Sequence, residues 1–590
     1  MSSPGKIKKG NVSQMSRFPD NLTFFVFENI TPLVNNGDYP LKREPHDEVV
    51  VQADIYRTGH EKIGANLIYR KAGDSTWKKV AMEHINNDLW TGKFKVDHLG
   101  LYEYSLEAYT IPFTRKTTKH DRIFKVRVDP VYARFSTWYE MFPRSQGKHP
   151  DKSASWQDCI KRLPDIKDMG FDTIYLVPIH PIGKKNRKGK NNSLISLEGE
   201  PGSPYAVGNE HGGHYAVDPD IGTMEEFGQF VKACTKHGFK LALDIALNSS
   251  PDHPHVKEHP EWFFHEEDGT IKCAENPPKK YEDIYPYDFF NSKWQELWTE
   301  IRDIILFWAD KGVTFFRIDN PHTKPFIFWE WIINDIKGKR PELVFLAEAF
   351  TRPKVMHRLA KLGFDMSYTY FTWRNEKWEL EEYFKELTAS HAREYMRGML
   401  FPTTPDILPV ILQNASPEAF TMRAFLAATL SSLWGMYNGY ELCETLPYPG
   451  KEELLDSEKY QYKVRDWDAP GNIKKFIKAL NHLRNNYPAF QEYDNLVFHH
   501  CENNQIMAYS KVDKRSGCKM LCIVNLDVKN TQSGWIDLDV GSLDLQHTQE
   551  YLVKDALNDG ETFKWQGGHN FVILDPAKSP GHIFQIIDRR

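Results

Sequence analysis

Hydrophobic and polar positions alternate in short runs between residues 21 and 130. The runs EVVVQADIYR, GANLIYRKA, TGKFKVD and GLYEYSLEAYT change polarity at nearly every position, and Gly, Asp and Asn turns separate them. A period of two indicates strands with one buried face, and several such strands at short spacing are typical of a β-sandwich. We therefore predict an amino-terminal β-sandwich domain over 21–130, preceded by a flexible polar tail over 1–20.

The pattern changes after residue 131 to continuous apolar runs that alternate with amphipathic helical stretches. GFDTIYLVPI, KLALDIALN, VTFFRIDN and ELVFLAEAF are apolar throughout, and helical stretches such as TMEEFGQFVKACTKHG lie between them. Strands that alternate with helices and are buried on both faces belong to a parallel sheet. With FSTWYEMF, MLFPTTPD and LSSLWGMYNGYEL as further strand candidates, we predict a closed (β/α)₈ TIM barrel over 131–490.

Two segments of this barrel region are too long for simple connections, and the alternating pattern returns after them. Residues 184–222 and 249–295 are rich in aromatic and charged positions, as expected of long loops that form the walls of a site. From 491 to 590 the runs NLVFHH, QIMAYSKVD, KMLCIVNLD and HIFQIID alternate again, which predicts a carboxyl-terminal β-sandwich. The predicted class is therefore multidomain α/β plus β.

Composition narrows the classes of partner. The net charge is −5, so there is no electrostatic reason to expect nucleic acid or an anionic membrane as a partner. Aromatic residues make up 13% of the chain, a content that suits sugar recognition. The seven cysteines form no CxxC pair, and no apolar run has the length of a signal peptide or a membrane span. We expect a cytosolic protein that recognises a neutral partner.

Three acidic residues directly follow apolar runs of the predicted barrel. Asp319 ends VTFFRID, Glu348 ends LVFLAE and Asp406 ends MLFPTTPD. Chemistry in such barrels occurs at the carboxyl ends of the strands, and the spacing of these acids, about one and two βα units, allows them to converge. A pair of carboxylates about 5 Å apart is what retaining glycosyl transfer requires, one as nucleophile and the other as acid and base.

Arg317 lies two residues before Asp319, so both side chains face the same side of the strand. Its positive charge would keep the Asp319 carboxylate ionised, whereas apolar neighbours would favour the protonated form of Glu348. The alternative is that Arg317 and Asp319 form a structural ion pair and that Glu348 caps a helix, and spacing does not separate the two hypotheses. His322 and Lys324, next to prolines, fit a structural role as well as a substrate-binding one.

Several longer motifs resemble one branch of the α-amylase superfamily. DIALN, FRIDN, LAEAF and TTPD resemble its four strand-end motifs, and the barrel as a whole is similar to the α-1,4-glucan:maltose-1-phosphate maltosyltransferases. The motifs that carry this resemblance are WYEMFPRS, PIHPIGKKNRKGKNN, SPDHP, AENPPKKYEDIYP, RIDNPHTKP, LAEAFTRP and SYTYFTWRN. The resemblance also agrees with β-domains on either side of the barrel.

The resemblance implies roles by position. Asp319 corresponds to the nucleophile, Glu348 to the acid and base, Asp406 to the third carboxylate, and Arg317 to the arginine that orients the nucleophile. Hydrolases commonly carry histidines where this chain has Ser249 and Pro405, which agrees with the transferase branch. The remaining substrate-binding residues that it implies are Lys188, Asn192, Asn248 and Asn320 for the sugar, and Asn276, Lys279 and Tyr281 for a donor phosphate.

The activity implied by the resemblance is transfer of a maltosyl unit from α-maltose 1-phosphate to an α-1,4-glucan acceptor in bacterial glycogen synthesis. It implies no metal and no organic cofactor, and it implies a cytoplasmic homodimer. The helical insertion that many members carry is absent from the pattern over 21–130. An α-glucan hydrolase or a trehalose/maltose isomerase is the alternative, which the phosphate contacts of AENPPKKY disfavour. A non-catalytic glucan-binding protein is a more remote one, because all three carboxylates are present.

Overall fold

The computed structural model describes residues 24–111, 117–276, 279–558 and 560–588. The predicted tail over 1–20 therefore lies outside the described residues. Within these ranges, no helix combines the length and the apolar character that crossing a membrane requires.

Two sheets form the amino-terminal part of the chain. One has the strand order β1-β3-β7-β6 and the other β2-β10-β8-β4-β5, with β9 paired to β8. Every second residue of β3 is buried, as the alternating sequence predicts. The strands are β1 (Phe25–Thr31), β2 (Leu41–Arg43), β3 (Glu48–Arg57), β4 (Lys62–Lys71), β5 (Lys78–Ala81), β6 (Glu83–Asn86), β7 (Leu89–Lys95), β8 (Gly100–Ile111), β9 (Thr117–Lys119) and β10 (Phe124–Val128).

Eight parallel strands close into a barrel at the centre of the molecule, so the predicted fold class is confirmed. Every residue of the strand that precedes Asp319 and of the strand that precedes Glu348 is buried. The barrel strands are β11 (Ser136–Met141), β12 (Thr173–Leu176), β13 (Lys240–Ile245), β18 (Phe315–Ile318), β19 (Val344–Ala347), β20 (Met366–Tyr368), β21 (Gly398–Leu400) and β22 (Leu433–Tyr437).

Helices surround the barrel, and short two-stranded ribbons lie in one of its long loops. The ribbons pair β14 (Asn248–Ser249) with β17 (Tyr285–Pro286), and β15 (Ala274–Asn276) with β16 (Lys279–Tyr281). The helices are α1 (Trp156–Asp168), α2 (Met224–Lys236), α3 (Pro254–Glu258), α4 (Trp294–Asp310), α5 (Phe326–Lys339), α6 (Pro353–Leu362), α7 (Lys377–Ala389), α8 (Pro417–Leu430) and α9 (Lys474–Asn486).

The carboxyl-terminal part is an eight-stranded sheet with the strand order β28-β27-β30-β25-β24-β23-β26-β29. Its inward residues form a hydrophobic core of their own, which includes Leu521, Ile523 and Ile536. The strands are β23 (Leu496–Cys501), β24 (Ile506–Asp513), β25 (Cys518–Asn525), β26 (Gln532–Asp537), β27 (Glu550–Asp555), β28 (Thr562–Gln566), β29 (His569–Leu574) and β30 (Gly581–Ile587).

Candidate active site

Asp319 and Glu348 leave the barrel side by side. Strands β18 and β19 are parallel, with Ile318 paired to Ala347, so the residue after each strand emerges at the same level. The backbone N–H of Glu348 donates to the carbonyl of Ile318 at 3.1 Å, which fixes the two chain segments next to each other. The structure thus brings together the two carboxylates that the sequence predicted to converge.

The guanidinium of Arg317 is buried and joins three carboxylates. Its Nη1 donates to Asp319 Oδ1 at 3.1 Å and to Asp244 Oδ1 at 3.0 Å. Its Nη2 lies 3.6 Å from Glu348 Oε1. A planar, permanently charged guanidinium suits this task because its donors point in fixed directions. The predicted pair between Arg317 and Asp319 is therefore present, as part of a larger cluster.

Asn320 links the two predicted catalytic carboxylates. Its backbone has φ 44° and ψ 52°, the left-handed conformation that Asn tolerates better than most residues. In this conformation its backbone N–H donates to Glu348 Oε2 at 3.0 Å, while its side-chain amide donates to Asp319 Oδ1 at 3.3 Å. One residue therefore sets the positions of both acids.

Burial raises the pKa values of two acids in this cluster, Glu348 and Asp244. Burial raises the pKa of Glu348 to about 7; the Arg317 charge opposes this rise and the Asp319 charge adds to it. Burial likewise raises the pKa of Asp244 to about 6, again against Arg317. A carboxyl group with a pKa near the working pH can donate a proton in one step and accept one in the next.

Asp244 is a member of the cluster that sequence reasoning did not single out. It is fully buried and accepts hydrogen bonds from the hydroxyls of Tyr175, at 2.8 Å, and Tyr205, at 3.0 Å, in addition to Arg317. The sequence signal for it was a single acid inside the apolar run KLALDIALN. Burying an unpaired carboxylate there would be too costly, so a buried acid at this position requires hydrogen-bonding or charged partners.

Asp406 lies at the rim of the same barrel end and is nearly half exposed. Its Oδ1 accepts a hydrogen bond from Lys459 Nζ at 2.5 Å, and that ammonium lies 4.8 Å from the centre of the Tyr205 ring. Burial opposes the charge of Lys459, but Asp406 and Tyr460, with a smaller contribution from Asp319, together outweigh it and raise the pKa of Lys459 above its ordinary value. The third carboxylate is therefore held by a lysine that the sequence analysis missed.

Lys459 belongs to a third long loop, residues 438–473, which joins β22 to α9. Asn191, from the first predicted wall loop, donates its amide to Asp456 Oδ1 at 3.0 Å, and the backbone N–H of Asp456 donates back to Asn191 Oδ1 at 2.8 Å. The length of this segment and its aromatic, charged stretch SEKYQYK were the signals that could have identified it as a site wall.

The predicted donor-binding residues lie on loops that contact one another. Lys188 is buried and its Nζ donates to Glu282 Oε2, which joins the 184–222 loop to the 249–295 loop. Asn192 lies in the short 3₁₀ turn Lys190–Asn192, which follows Lys188, and is half-buried. Asp283 is buried beside Lys188 and Lys459; burial raises its pKa, and both lysines oppose that rise.

The ribbons of the second loop carry the remaining predicted contacts. Asn248 is in β14, paired with Pro286 of β17, at the carboxyl end of barrel strand β13. The backbones of Asn276 and Lys279 pair with each other in the β15–β16 ribbon, and their side chains lie outside the described residues. Tyr281 is half-buried at the end of that ribbon.

The fold is that of an α-amylase-type catalytic barrel. Residues 138–324 match the model of the α-amylase catalytic domain. Among solved structures, the fold is similar to that of a maltogenic α-amylase from Thermotoga neapolitana, with a TM-score of 0.60 and 21% sequence identity; the match covers 77% of this chain and 98% of that one. It is also similar to an α-amylase from Geobacillus thermoleovorans, with a TM-score of 0.61 and 17% sequence identity; this match covers 77% of this chain and 99% of that one.

Within this class the chain belongs to the α-1,4-glucan:maltose-1-phosphate maltosyltransferase family. Residues 25–132 match the model of that family's domain N/S, and residues 498–586 match the model described as GLGE, C-terminal. A curated member from Chlorobaculum tepidum is 43% identical over 95% of this chain and 96% of its own length. A member from Methylacidiphilum infernorum is 42% identical over 95% of each chain.

Proposed function

We propose that this protein is a retaining maltosyltransferase. It transfers a maltosyl unit from α-maltose 1-phosphate to the non-reducing end of an α-1,4-glucan and releases inorganic phosphate. The observation that carries the proposal is the Asp319–Arg317–Glu348 cluster, joined by Asn320, in a chain of the maltosyltransferase family. Burial raises the pKa of Glu348 to about 7, as suits a group that donates a proton in the first step and accepts one in the second.

In the first step a carboxylate oxygen of Asp319 attacks C1 of the donor. The bond from C1 to the phosphate oxygen breaks, the bonding pair leaves with the phosphate, and Glu348 delivers its proton to that oxygen. In the second step the acceptor's 4-hydroxyl attacks C1, the ester to Asp319 breaks, and Glu348 takes the hydroxyl proton. Two inversions leave the new linkage in the α configuration.

The surrounding residues orient donor and charge. Arg317 donates to Asp319 and aims its carboxylate at C1, and Asp406 holds sugar hydroxyls while it stabilises the positive charge that develops on the ring. Its contact with Lys459 gives the carboxylate a fixed direction. The sugar contacts proposed are Lys188, Asn192, Asn248 and Asn320, and the phosphate contacts proposed are Asn276, Lys279 and Tyr281.

The proposal extends to the pathway, the compartment and the oligomeric state of the enzyme. We place the reaction in bacterial α-glucan, or glycogen, biosynthesis, in the cytoplasm, with the enzyme as a homodimer. All seven cysteines are free thiols, which fits a reducing compartment. Family resemblance alone supports the homodimer, and light scattering on the purified chain tests it.

The experiment that tests the function is phosphate release from α-maltose 1-phosphate with and without a short maltooligosaccharide, alongside chromatography of the glucan. We expect release that depends on the acceptor and chains that grow by two glucose units. Release of free maltose without acceptor dependence would instead identify a hydrolase. A folded protein that releases no phosphate would contradict the proposal.

The phosphate contacts have a test of their own. Lys279→Ala should raise KM for α-maltose 1-phosphate by more than tenfold, since a charge-assisted contact to the phosphate is lost. It should leave KM for α-maltosyl fluoride nearly unchanged. Lys280→Ala, which removes the neighbouring exposed lysine, is the matched control. Equal effects of Lys279→Ala on both donors would refute the phosphate role.

A further inference from the structure

Lys324 is a buried lysine just below the two acids. It lies five residues after Asp319, between a short 3₁₀ turn and α5, and only 8% of its surface is exposed. Its Nζ donates to the carbonyl oxygen of Asn320 at 3.3 Å. Among the described residues, the Asn320 carbonyl oxygen is the acceptor of the Lys324 ammonium, and no carboxylate oxygen of these residues lies within 4 Å of Lys324 Nζ. A buried ammonium without an ion pair is costly and calls for a reason.

The residue that Lys324 contacts is the one that links the acids. Asn320 donates to Glu348 through its backbone and to Asp319 through its side chain. Its carbonyl oxygen accepts not only from Lys324 but also from Thr323, whose Oγ1 lies at 2.8 Å and whose backbone N–H lies at 3.2 Å. Two side chains, the charged Lys324 and the neutral Thr323, therefore donate to the carbonyl oxygen of Asn320 and stabilise its left-handed conformation.

The charge of Lys324 reaches both acids. Burial lowers the pKa of Lys324, and the Asp319 and Glu348 charges oppose this change, so the ammonium and the carboxylates stabilise one another. Burial and Asp319 both favour the neutral form of Glu348, and Arg317 opposes them, so a further positive charge acts in the same direction as Arg317 when the second step requires Glu348 as a base. The charged and titratable groups that face Glu348 are Arg317, Asp319, Asp406, Tyr368 and Lys324.

We propose that Lys324 is a positioning residue for the transfer reaction: it holds Asn320, which links the two acids, in its left-handed conformation, and it adds a second positive charge to that of Arg317 near them. This inference rests on the proposed function for the roles of the two acids. It assigns Lys324 no contact with the substrate, in contrast to the phosphate-binding role proposed for Lys279.

The test compares Lys324→Met, which removes the charge but keeps the length of the side chain, with Lys324→Arg, which keeps the charge. Thr323→Val is the matched control, because it removes a neutral hydrogen bond to the same carbonyl oxygen. For each variant kcat/KM for α-maltose 1-phosphate is measured against pH. Ionisation of the donor phosphate is the same for all variants, so a difference between them reports the enzyme.

We expect Lys324→Met to lower kcat at least tenfold and to move the alkaline limb of the profile up by about one pH unit, because loss of a nearby positive charge disfavours ionised Glu348. Lys324→Arg should restore the position of the limb, and Thr323→Val should not move it. If Lys324→Met and Thr323→Val lower activity alike without a shift, Lys324 only closes the turn. If Lys324→Met impairs the phosphate donor but not α-maltosyl fluoride, it binds the donor phosphate. Either result overturns the inference.

A second donor separates this inference from the proposed function. Fluoride needs no proton to leave, so with α-maltosyl fluoride Glu348 acts only as the base that activates the acceptor or water. The acid limb of kcat should then move up in Lys324→Met by about the same amount. This readout exists for a transferase and for a hydrolase, so a wild-type protein that fails the phosphate-release test still allows the inference to be judged.

Discussion

At the scale of single residues, the proposed mechanism makes Asp319 the nucleophile and Glu348 the acid and base, so a variant without the proton donor should accumulate the ester on Asp319. Glu348→Gln keeps the shape of the side chain but cannot exchange a proton, so kcat with α-maltose 1-phosphate should fall by about 10² to 10⁴. With α-maltosyl fluoride the first step should proceed and the ester should accumulate. Mass spectrometry should then find one maltosyl group on Asp319. Asp319→Ala should show none, and a label on another residue would overturn the mechanism.

The pKa of Glu348 makes a second prediction at this scale. Since burial raises that pKa to about 7, the acid form that the first step needs is lost as the pH rises through 7. We expect kcat/KM for α-maltose 1-phosphate to fall about tenfold per pH unit on the alkaline side. The residual activity of Glu348→Gln should lack this limb. A limb that persists in the variant belongs to another group.

The residues that could be predicted from the sequence are those whose signal is local. Arg317 and Asp319 are two positions apart on one strand, so their pairing follows from the strand period alone. Lys459 lies 53 residues from Asp406 along the chain, and no local pattern joins them. The family resemblance supplied roles for individual positions, but the contact between Asp406 and Lys459 required the folded chain.

At the scale of elements, the barrel strands were predictable where they lie within continuous apolar runs of the sequence. Barrel strand β20 has three residues, Met366–Tyr368, and the sequence analysis did not propose it as a strand. Strand β21 is equally short, but around β20 Asp365, Ser367 and Thr369 interrupt the apolar residues, so no continuous apolar run marks it, and its pairing with β19 and β21 defines it. The loops 184–222 and 249–295 could be predicted from their length. The loop 438–473 could not, because its first residues belong to the apolar run LSSLWGMYNGYEL, which predicts a strand.

The contact between the first and third loops should act as one unit. Asn191 and Asp456 exchange two hydrogen bonds across the site wall that carries Lys188 and Lys459. We expect Asn191→Ala and Asp456→Ala each to raise KM for the donor several-fold, because either change frees both loops. The double variant should be no worse than the single ones, which a double-mutant cycle measures. Additive effects would mean that the two residues act separately.

At the scale of the whole molecule, a buried charge network ties the amino-terminal sheets to the barrel. Lys337 of α5 donates to Asp129, just after β10, at 2.7 Å, and to Asp365, just before β20. Arg397 donates to Asp129 at 2.9 Å and to Glu44 at 2.6 Å. Burial would raise the pKa of Asp129, but Lys337 and Arg397 outweigh it and hold that pKa well below its ordinary value. Each buried acid of this network is therefore stabilised by a buried cation of the same network.

Removing one member should expose that dependence. Lys337→Met leaves Asp129 and Asp365 buried without their shared partner, so we expect a loss of about 3–5 kcal/mol in the free energy of unfolding, measured by urea titration. Lys339→Met removes the exposed pair between Lys339 and Asp335 on the same helix and should cost less than about 1 kcal/mol. Equal, small losses in the two variants would mean that the interface is held by its apolar contacts and that the buried charges contribute no net stability.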